Sequence, residues 1–224
     1  MQKAFIREIF LSIQGEGPHI GEEHLFIRFC GCNLSCKYCD TDFLKSKSEE
    51  YTPETLLEKI NSYGQNLTLS LTGGEPLCSA DFLEEFLPLA RNCGHKIYLE
   101  TNGTLPKQLE KVINLTDIVS ADIKLESSTE QHIPQQTLDE FFSIASKKEV
   151  FAKIVFDNNI TADEIINSIK PAQKYNFEII LQPKMNGNDF AVSTEDCEKI
   201  FSQYRKQYNR VRLIPQMHKY LNVR

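Results

Sequence analysis

The chain of 224 residues sets 25 Lys and Arg against 31 Asp and Glu, a formal net charge of −6, so it offers no general attraction to a nucleic-acid backbone. No apolar run approaches the ~18 residues of a membrane span, and Lys3, Arg7 and Glu8 interrupt the N-terminus where a secretion signal would be apolar. Seven cysteines without such a signal point to a reducing cytoplasm and to metal chemistry, and the length suits one domain, residues 1–224, without low-complexity tracts or repeats.

In chain order, Ala4 to Ser12 mixes Ile6, Ile9 and Phe10 with charges and leads into Ile13-Gln14-Gly15-Glu16-Gly17-Pro18, a turn with an approachable backbone. His24 to Phe29 reads as a strand with Leu25, Ile27 and Phe29 on one face and Arg28 on the other. Directly after it comes Cys32-Asn33-Leu34-Ser35-Cys36-Lys37-Tyr38-Cys39. Three thiolates hold three irons of a 4Fe-4S cubane and leave the fourth open, whereas a closed cluster or structural zinc site takes four protein ligands. Cys30, in an apolar strand-like run, reads as a small buried hydrophobe, and Cys78, Cys93 and Cys197 stand alone. A zinc knot or redox thiols would leave the other motifs unexplained.

Thr52-Pro53-Glu54 predicts a helix start with Thr as N-cap and Pro at the first position. A second strand, Leu67 to Leu71, runs into Thr72-Gly73-Gly74-Glu75-Pro76, followed by a helix from Asp81 to Asn92 in which Pro88 predicts a kink or early stop. Further strands are expected over Lys96 to Glu100, Asp117 to Ile123, Val150 to Phe156, Phe177 to Leu181 and Val211 to Ile214. Helices are expected over Thr137 to Lys148, Thr161 to Tyr175 and Ser193 to Tyr208, the last opened by a capping-box pattern, Ser193 with Asp196. Alternating strands and helices imply an α/β fold, a partial (β/α) barrel with parallel strands and helices outside. The motifs from Cys32 to Cys39, Thr72 to Pro76, Thr101 to Gly103, Asp122 to Lys124, Asp157-Asn158, Gln182-Pro183 and Gln216 to Lys219 all follow strands, the face on which (β/α) barrels build active sites.

The cysteine spacing with its aromatic resembles the radical S-adenosylmethionine enzymes, and Gly73-Gly74-Glu75-Pro76 resembles their second signature. More narrowly, Gln14-Gly15-Glu16-Gly17, Arg28 ahead of Gly31-Cys32-Asn33-Leu34, Cys39-Asp40-Thr41, Glu100-Thr101-Asn102-Gly103 and Pro215-Gln216-Met217-His218-Lys219 are similar to the 7-carboxy-7-deazaguanine synthases over nearly the whole chain. That resemblance implies ring contraction of 6-carboxy-5,6,7,8-tetrahydropterin with loss of ammonia, a lyase reaction on the way to queuosine. It implies a 4Fe-4S cluster, S-adenosyl-L-methionine and Mg2+ as cofactors, a flavodoxin or ferredoxin as electron donor, a cytoplasmic homodimer, and neither nucleic acid nor membrane as partner.

Position by position, the resemblance implies Cys32, Cys36 and Cys39 as iron ligands, and Tyr38, Cys39, Asp40, Gly74, Ser120, Lys124 and Gln182 as S-adenosylmethionine contacts. It implies Ile13, Gln14, Gly15, Arg28 and Thr72 as pterin contacts and Thr41 as a magnesium ligand, although by its own chemistry Thr41 reads as a loop hydroxyl. Where some relatives have Ser-Pro-Lys this chain has Ser120-Ala121-Asp122-Ile123-Lys124, which leaves the strand register of Lys124 open, and Asp122 is a candidate partner for it. His218 stands open between a site role and a structural one. An activating enzyme for a glycyl-radical protein would share the cysteine and Gly-Gly-Glu-Pro motifs, but Gln14 to Gly17 and Arg28 suit a compact carboxylated heterocycle better than a protein substrate.

Overall fold

The computed structural model describes residues 2–36, 48–221 and 223. The first half runs β1 (Ala4–Ile13), β2 (Glu23–Phe29), β3 (Glu49–Tyr51), α1 (Pro53–Asn61), β4 (Thr68–Gly73), α2 (Ala80–Asn92), β5 (Lys96–Thr101) and α3 (Pro106–Val112). It continues with β6 (Ile118–Asp122), α4 (Glu126–Thr129), α5 (Gln135–Ala145), β7 (Glu149–Phe156), α6 (Ala162–Tyr175) and β8 (Glu178–Pro183). A small hairpin, β9 (Met185–Asn186) with β10 (Asp189–Phe190), precedes α7 (Thr194–Gln207), β11 (Val211–Leu213) and α8 (Met217–Leu221).

One sheet has the order β11-β8-β7-β6-β5-β4-β2-β1-β3. From β2 to β11 every pairing is parallel, as the alternation of strands and helices predicts. At the other end β1 pairs antiparallel with both β2 and β3, and β3, a short charged edge strand, is not foreshadowed by any apolar pattern. The sheet is open, since β11 and β3 are its two edges. It is nevertheless curled: Gln216, just past β11, donates to Glu16, just past β1, at 2.7 Å.

The curl follows from a strict alternation. Leu25, Ile27 and Phe29 of β2, Leu69 and Leu71 of β4, Ile97 and Leu99 of β5 and Ile179 and Leu181 of β8 are buried in one core with Phe82 and Phe86 of α2, Phe141 and Phe142 of α5 and Ile169 of α6. The intervening positions face the concave side. There Tyr98, Ile118, Phe151 and Ile180 make a second, smaller apolar cluster, the floor, above which polar residues take over.

Local signals set the helix starts. Thr52 and Thr55 exchange hydrogen bonds in a capping box, with Pro53 in the first turn, and Thr161 with Glu164 does the same for α6. At α7 the Ser193 hydroxyl accepts from the Asp196 amide, but the Asp196 carboxylate receives the Ser193 hydroxyl rather than its backbone, so the expected reciprocal box is only half made. α2 continues past Pro88 to Asn92. The hydrogen bond that proline omits would go to the carbonyl of Glu84, an exposed residue on the solvent side of the helix.

Candidate active site

The ends of β1, β2 and β4 through β8 open into a cavity of about 590 Å³. Its wall includes Ile13, Gln14, Gly15, Arg28, Cys32, Cys36, Thr72, Gly74, Lys124 and Gln182, so these expected site residues, scattered from position 13 to 182, are brought together. Tyr38, Cys39, Asp40 and Thr41 lie outside the described residues. Ser120 does not reach the wall: it is buried one layer down, and the pleat brings Asp122, two residues on, to the cavity instead. Lys124 donates to Asp122 at 2.7 Å, the pairing anticipated for it. Cys30, expected as a buried hydrophobe, is half-buried and off the wall, its amide bonded to the carbonyl of Phe5.

Backbone bonds join the cysteine loop to the glycine turn after β4. The amide of Gly74 donates to Phe29 and that of Glu75 to Gly31, each at 2.9 Å. Gly73 holds φ at +111°, and a Cβ there would sit 2.4 Å from the carbonyl oxygen of Phe29, so no side chain is tolerated. Glu75, fully buried, accepts from the amide of Leu77, the hydroxyl of Thr101 and the amide of Asn102 at 3.0, 2.9 and 2.7 Å. Burial pushes its carboxyl up to about 7 against these donors. Asn102 then turns its own amide on the cysteine loop, donating to Asn33 at 2.8 Å and lying 3.8 Å from the sulfur of Cys32.

The opposite wall joins the two chain ends. The amide of Met217 donates to the carbonyl of Gly15 at 2.9 Å, and a Cβ on Gly15 would lie 2.6 Å from that of His218. His218 thus both packs on the turn and lines the cavity. Between the walls stands Lys153 of β7, its side chain only 7% exposed, with Nζ 2.6 Å from Glu16, 3.6 Å from Glu100 and 3.7 Å from Asp122. Burial works against its ammonium, but the three carboxylates outweigh that and hold it well above the ordinary lysine range. Burial likewise opposes the charge on Glu16, yet Lys153, Gln216 and His218 bring its carboxyl down to about 2. For Glu100 burial prevails over Lys153 and Gln14, and its carboxyl is raised.

Arg28 faces the cavity while Ile27 and Phe29 are buried on the far side, as alternation requires. Its Nε lies 3.2 Å from Glu8, the residue opposite in the antiparallel register, and its guanidinium sits 5.8 Å from the ring centre of Phe10.

The donors present suit an iron–sulfur cluster with a nucleoside-bearing ligand. Two thiols share one wall with an amide near one sulfur, and across the cavity the buried amide nitrogen of Gln182 has no hydrogen-bond partner among the described residues. Sequence reasoning assigned no role to Lys153, Glu100, Asn102 or Glu75. The signal for Lys153 was present as one charge in the apolar strand Val150 to Phe156; Asn102 and Glu75 act through contacts that only the fold creates.

Residues 26–197 match the radical SAM superfamily. The 7-carboxy-7-deazaguanine synthase of Archaeoglobus fulgidus is 34% identical over 99% of this chain and 100% of its own length, and that of Geobacter sulfurreducens 33% over 97% of each. The crystal structure of QueE from Escherichia coli superposes with a TM-score of 0.67 over 96% of this chain and 95% of its own, at 19% identity. A structure of TYW1 with a lysine-pyruvate adduct bound reaches 0.57 over 81% and 73%, at 14% identity. At those identities the likeness is one of fold.

Proposed function

From the premise that this chain belongs to the radical SAM superfamily and, within it, to the 7-carboxy-7-deazaguanine synthases, we propose that its cavity binds 6-carboxy-5,6,7,8-tetrahydropterin beside the cysteine loop and releases 7-carboxy-7-deazaguanine and ammonia. The observation that carries this reading is the convergence of Cys32, Cys36, Gly74, Gln14 and Arg28 on one cavity. Bound there, a reduced 4Fe-4S cluster and S-adenosylmethionine supply the hydrogen-abstracting radical chemistry.

The chain's own residues bind and orient. Cys32, Cys36 and Cys39 hold the cluster, and Asn102 fixes the loop that carries the first of them. Gly74, Lys124 and Gln182, with Tyr38 and Asp40, receive S-adenosylmethionine, and the Gln182 amide, without a hydrogen-bond partner among the described residues, would lie near its adenine. Ile13, Gln14, Gly15, Thr72 and Arg28 hold the pterin, the guanidinium taking the carboxylate through two parallel hydrogen bonds. Ser120, which the resemblance implies as a further S-adenosylmethionine contact, lies one layer beneath the wall. Thr41 is a ligand for Mg2+, the hard cation suited to a substrate carboxylate. A flavodoxin or ferredoxin delivers the electron, and the working form is a cytoplasmic homodimer.

Anaerobic reconstitution followed by incubation with S-adenosylmethionine, a reductant and the carboxytetrahydropterin tests the whole reading. Mass spectrometry of the product is expected to give the deazapurine, with iron and sulfide in the protein. A well-formed cluster that cleaves S-adenosylmethionine yet yields no deazapurine refutes it.

A further inference from the structure

Lys153 is the hub of the cavity's charges. Each of its three carboxylate neighbours comes from a different segment, and each has its second oxygen tied elsewhere: Glu16 to Gln216 at 2.7 Å, Glu100 to Gln14 at 3.1 Å and Asp122 to Lys124 at 2.7 Å. The ammonium therefore cross-braces the turn after β1, β5 and β6. All four charged groups line the cavity rather than filling the core behind it. Three carboxylates against the ammoniums of Lys153 and Lys124 leave a surplus of one negative charge, with His218, 4.0 Å from Glu16, the other titratable group at hand. From the remaining sides the neighbours are Tyr98 on the floor and, in register on β8, the uncharged Ile180. Such a wall presents acceptors and calls for a ligand edge that supplies N–H donors. The aminopyrimidinone side of a pterin is such an edge.

We propose that Lys153 is a positioning residue for the pterin: its ammonium holds the Glu16 and Glu100 carboxylates as a fixed set of acceptors for the N–H edge of the ring. The inference rests on the pterin chemistry proposed above and adds to it how the polar edge of the substrate is fixed in the cavity that Arg28 also lines. A buried lysine in a strand is otherwise costly, because desolvation alone disfavours its charge. Here the cost is offset by three partners, and those partners face the ligand.

The test is pterin affinity of the cluster-loaded protein with S-adenosylmethionine, measured anaerobically by equilibrium dialysis from about pH 5.5 to about 8.5, a window above the ordinary carboxylate range. The parent is expected to keep Glu16 charged throughout, leaving only the weaker slope that Glu100, raised by burial, contributes at the acid end. Lys153→Met removes the largest opposition to burial at Glu16 and Glu100, leaving only Gln216 and His218 at the first and Gln14 at the second, so both carboxyls rise. Affinity should be roughly 30-fold weaker or worse at the acid end and recover as pH rises and the carboxyls regain their charge. Lys153→Arg, which keeps the charge, should restore most of the affinity and the parental profile. A merely structural lysine would lower the melting temperature without a pH-dependent affinity. Lys153→Met binding like the parent, or an equal pH-independent loss in Lys153→Met and Lys153→Arg, overturns the proposal. If Lys153→Met does not hold iron, Glu16→Gln decides: its affinity should fall by about tenfold or more at every pH, and an unchanged affinity overturns the inference. A parent that loads iron and cleaves S-adenosylmethionine but does not bind the pterin refutes the proposed substrate and this inference with it, whereas pterin turnover by the parent with an indifferent Lys153→Met refutes this inference alone.

Discussion

Replacing Glu75 by Gln changes one buried atom and separates two forces that act on the same carboxyl. One oxygen of Glu75 accepts from Leu77 and Thr101, the other from the amide of Asn102. A glutamine offers one acceptor, so either Asn102 or Leu77 must face an amide donor, while the Thr101 hydroxyl can turn to suit. One backbone donor left unpaired costs about 1 to 3 kcal/mol. Against this, burial raises the carboxyl of Glu75 from 4.5 to about 7. The folded state therefore binds more protons than the unfolded state between those values, and stability falls as pH rises through that window, by about 3 kcal/mol for a shift of this size. Glutamine carries no such slope. Glu75→Gln is thus expected to be less stable than the parent by about 1 to 3 kcal/mol near pH 5, with the gap closing or reversing near pH 8. The chain has no tryptophan, so urea unfolding is best followed by far-UV circular dichroism. A gap that stays constant or widens with pH would mean that the three donors, not burial, govern Glu75, and would refute the reasoning.

Arg28→Ala removes an ion pair to Glu8 in which both side chains are about a third exposed, 29% and 33%, so stability should change by only ~0 to 1 kcal/mol. Pterin affinity should fall by about 2 to 5 kcal/mol, with Arg28→Lys intermediate and iron content intact, and an unchanged dissociation constant removes Arg28 from the site. Glu16, held at about 2 against 4.5 unfolded, contributes stability that is present above pH 4.5 and is lost as pH falls toward 2. The protection of the Met217 amide against hydrogen exchange, relative to its intrinsic rate at each pH, should therefore fall below about pH 4; equal protection across that range would show that Glu16 does not anchor the tail. Gly15→Ala puts a methyl group against the backbone nitrogen of His218, 2.7 Å away, and should lower turnover through a raised pterin KM at parental iron content. A mutant with parental KM would show that the tail can yield without disturbing the site.

What could be read in the sequence was local or periodic. Thr52-Pro53 and Thr161 with Glu164 announce their helices because caps are made within four residues. Leu25, Ile27 and Phe29 announce a face because pleating has a period of two. Alternation also places Phe151, Lys153 and Val155 together, but it does not say that their face is the polar, concave one, which depends on the sheet curling. The strand β3, Glu49-Glu50-Tyr51, is too short and charged to leave an apolar trace and exists by pairing with Ala4 to Ile6. The hairpin of β9 and β10 did leave a signal, Gly187 at φ +62° in a two-residue turn, but its strands of two residues are too short for a periodic pattern. Glu75 and Asn102 belong to motifs legible as resemblance, yet their bond to each other spans 27 positions and is a product of strand order.

The bond between Gln216 and Glu16 joins residues 200 positions apart. At a ribosome's pace of about 5 to 20 residues per second, that interval is roughly 10 to 40 seconds. During it a nascent chain already carries Cys32 and Cys36 but lacks the segment after β11 that lines the same cavity, so the two thiols wait through most of that interval for part of their pocket. The segment after β11 therefore determines when the cavity is first complete, and a chain terminated before it carries the cysteine loop without all of the pocket around it.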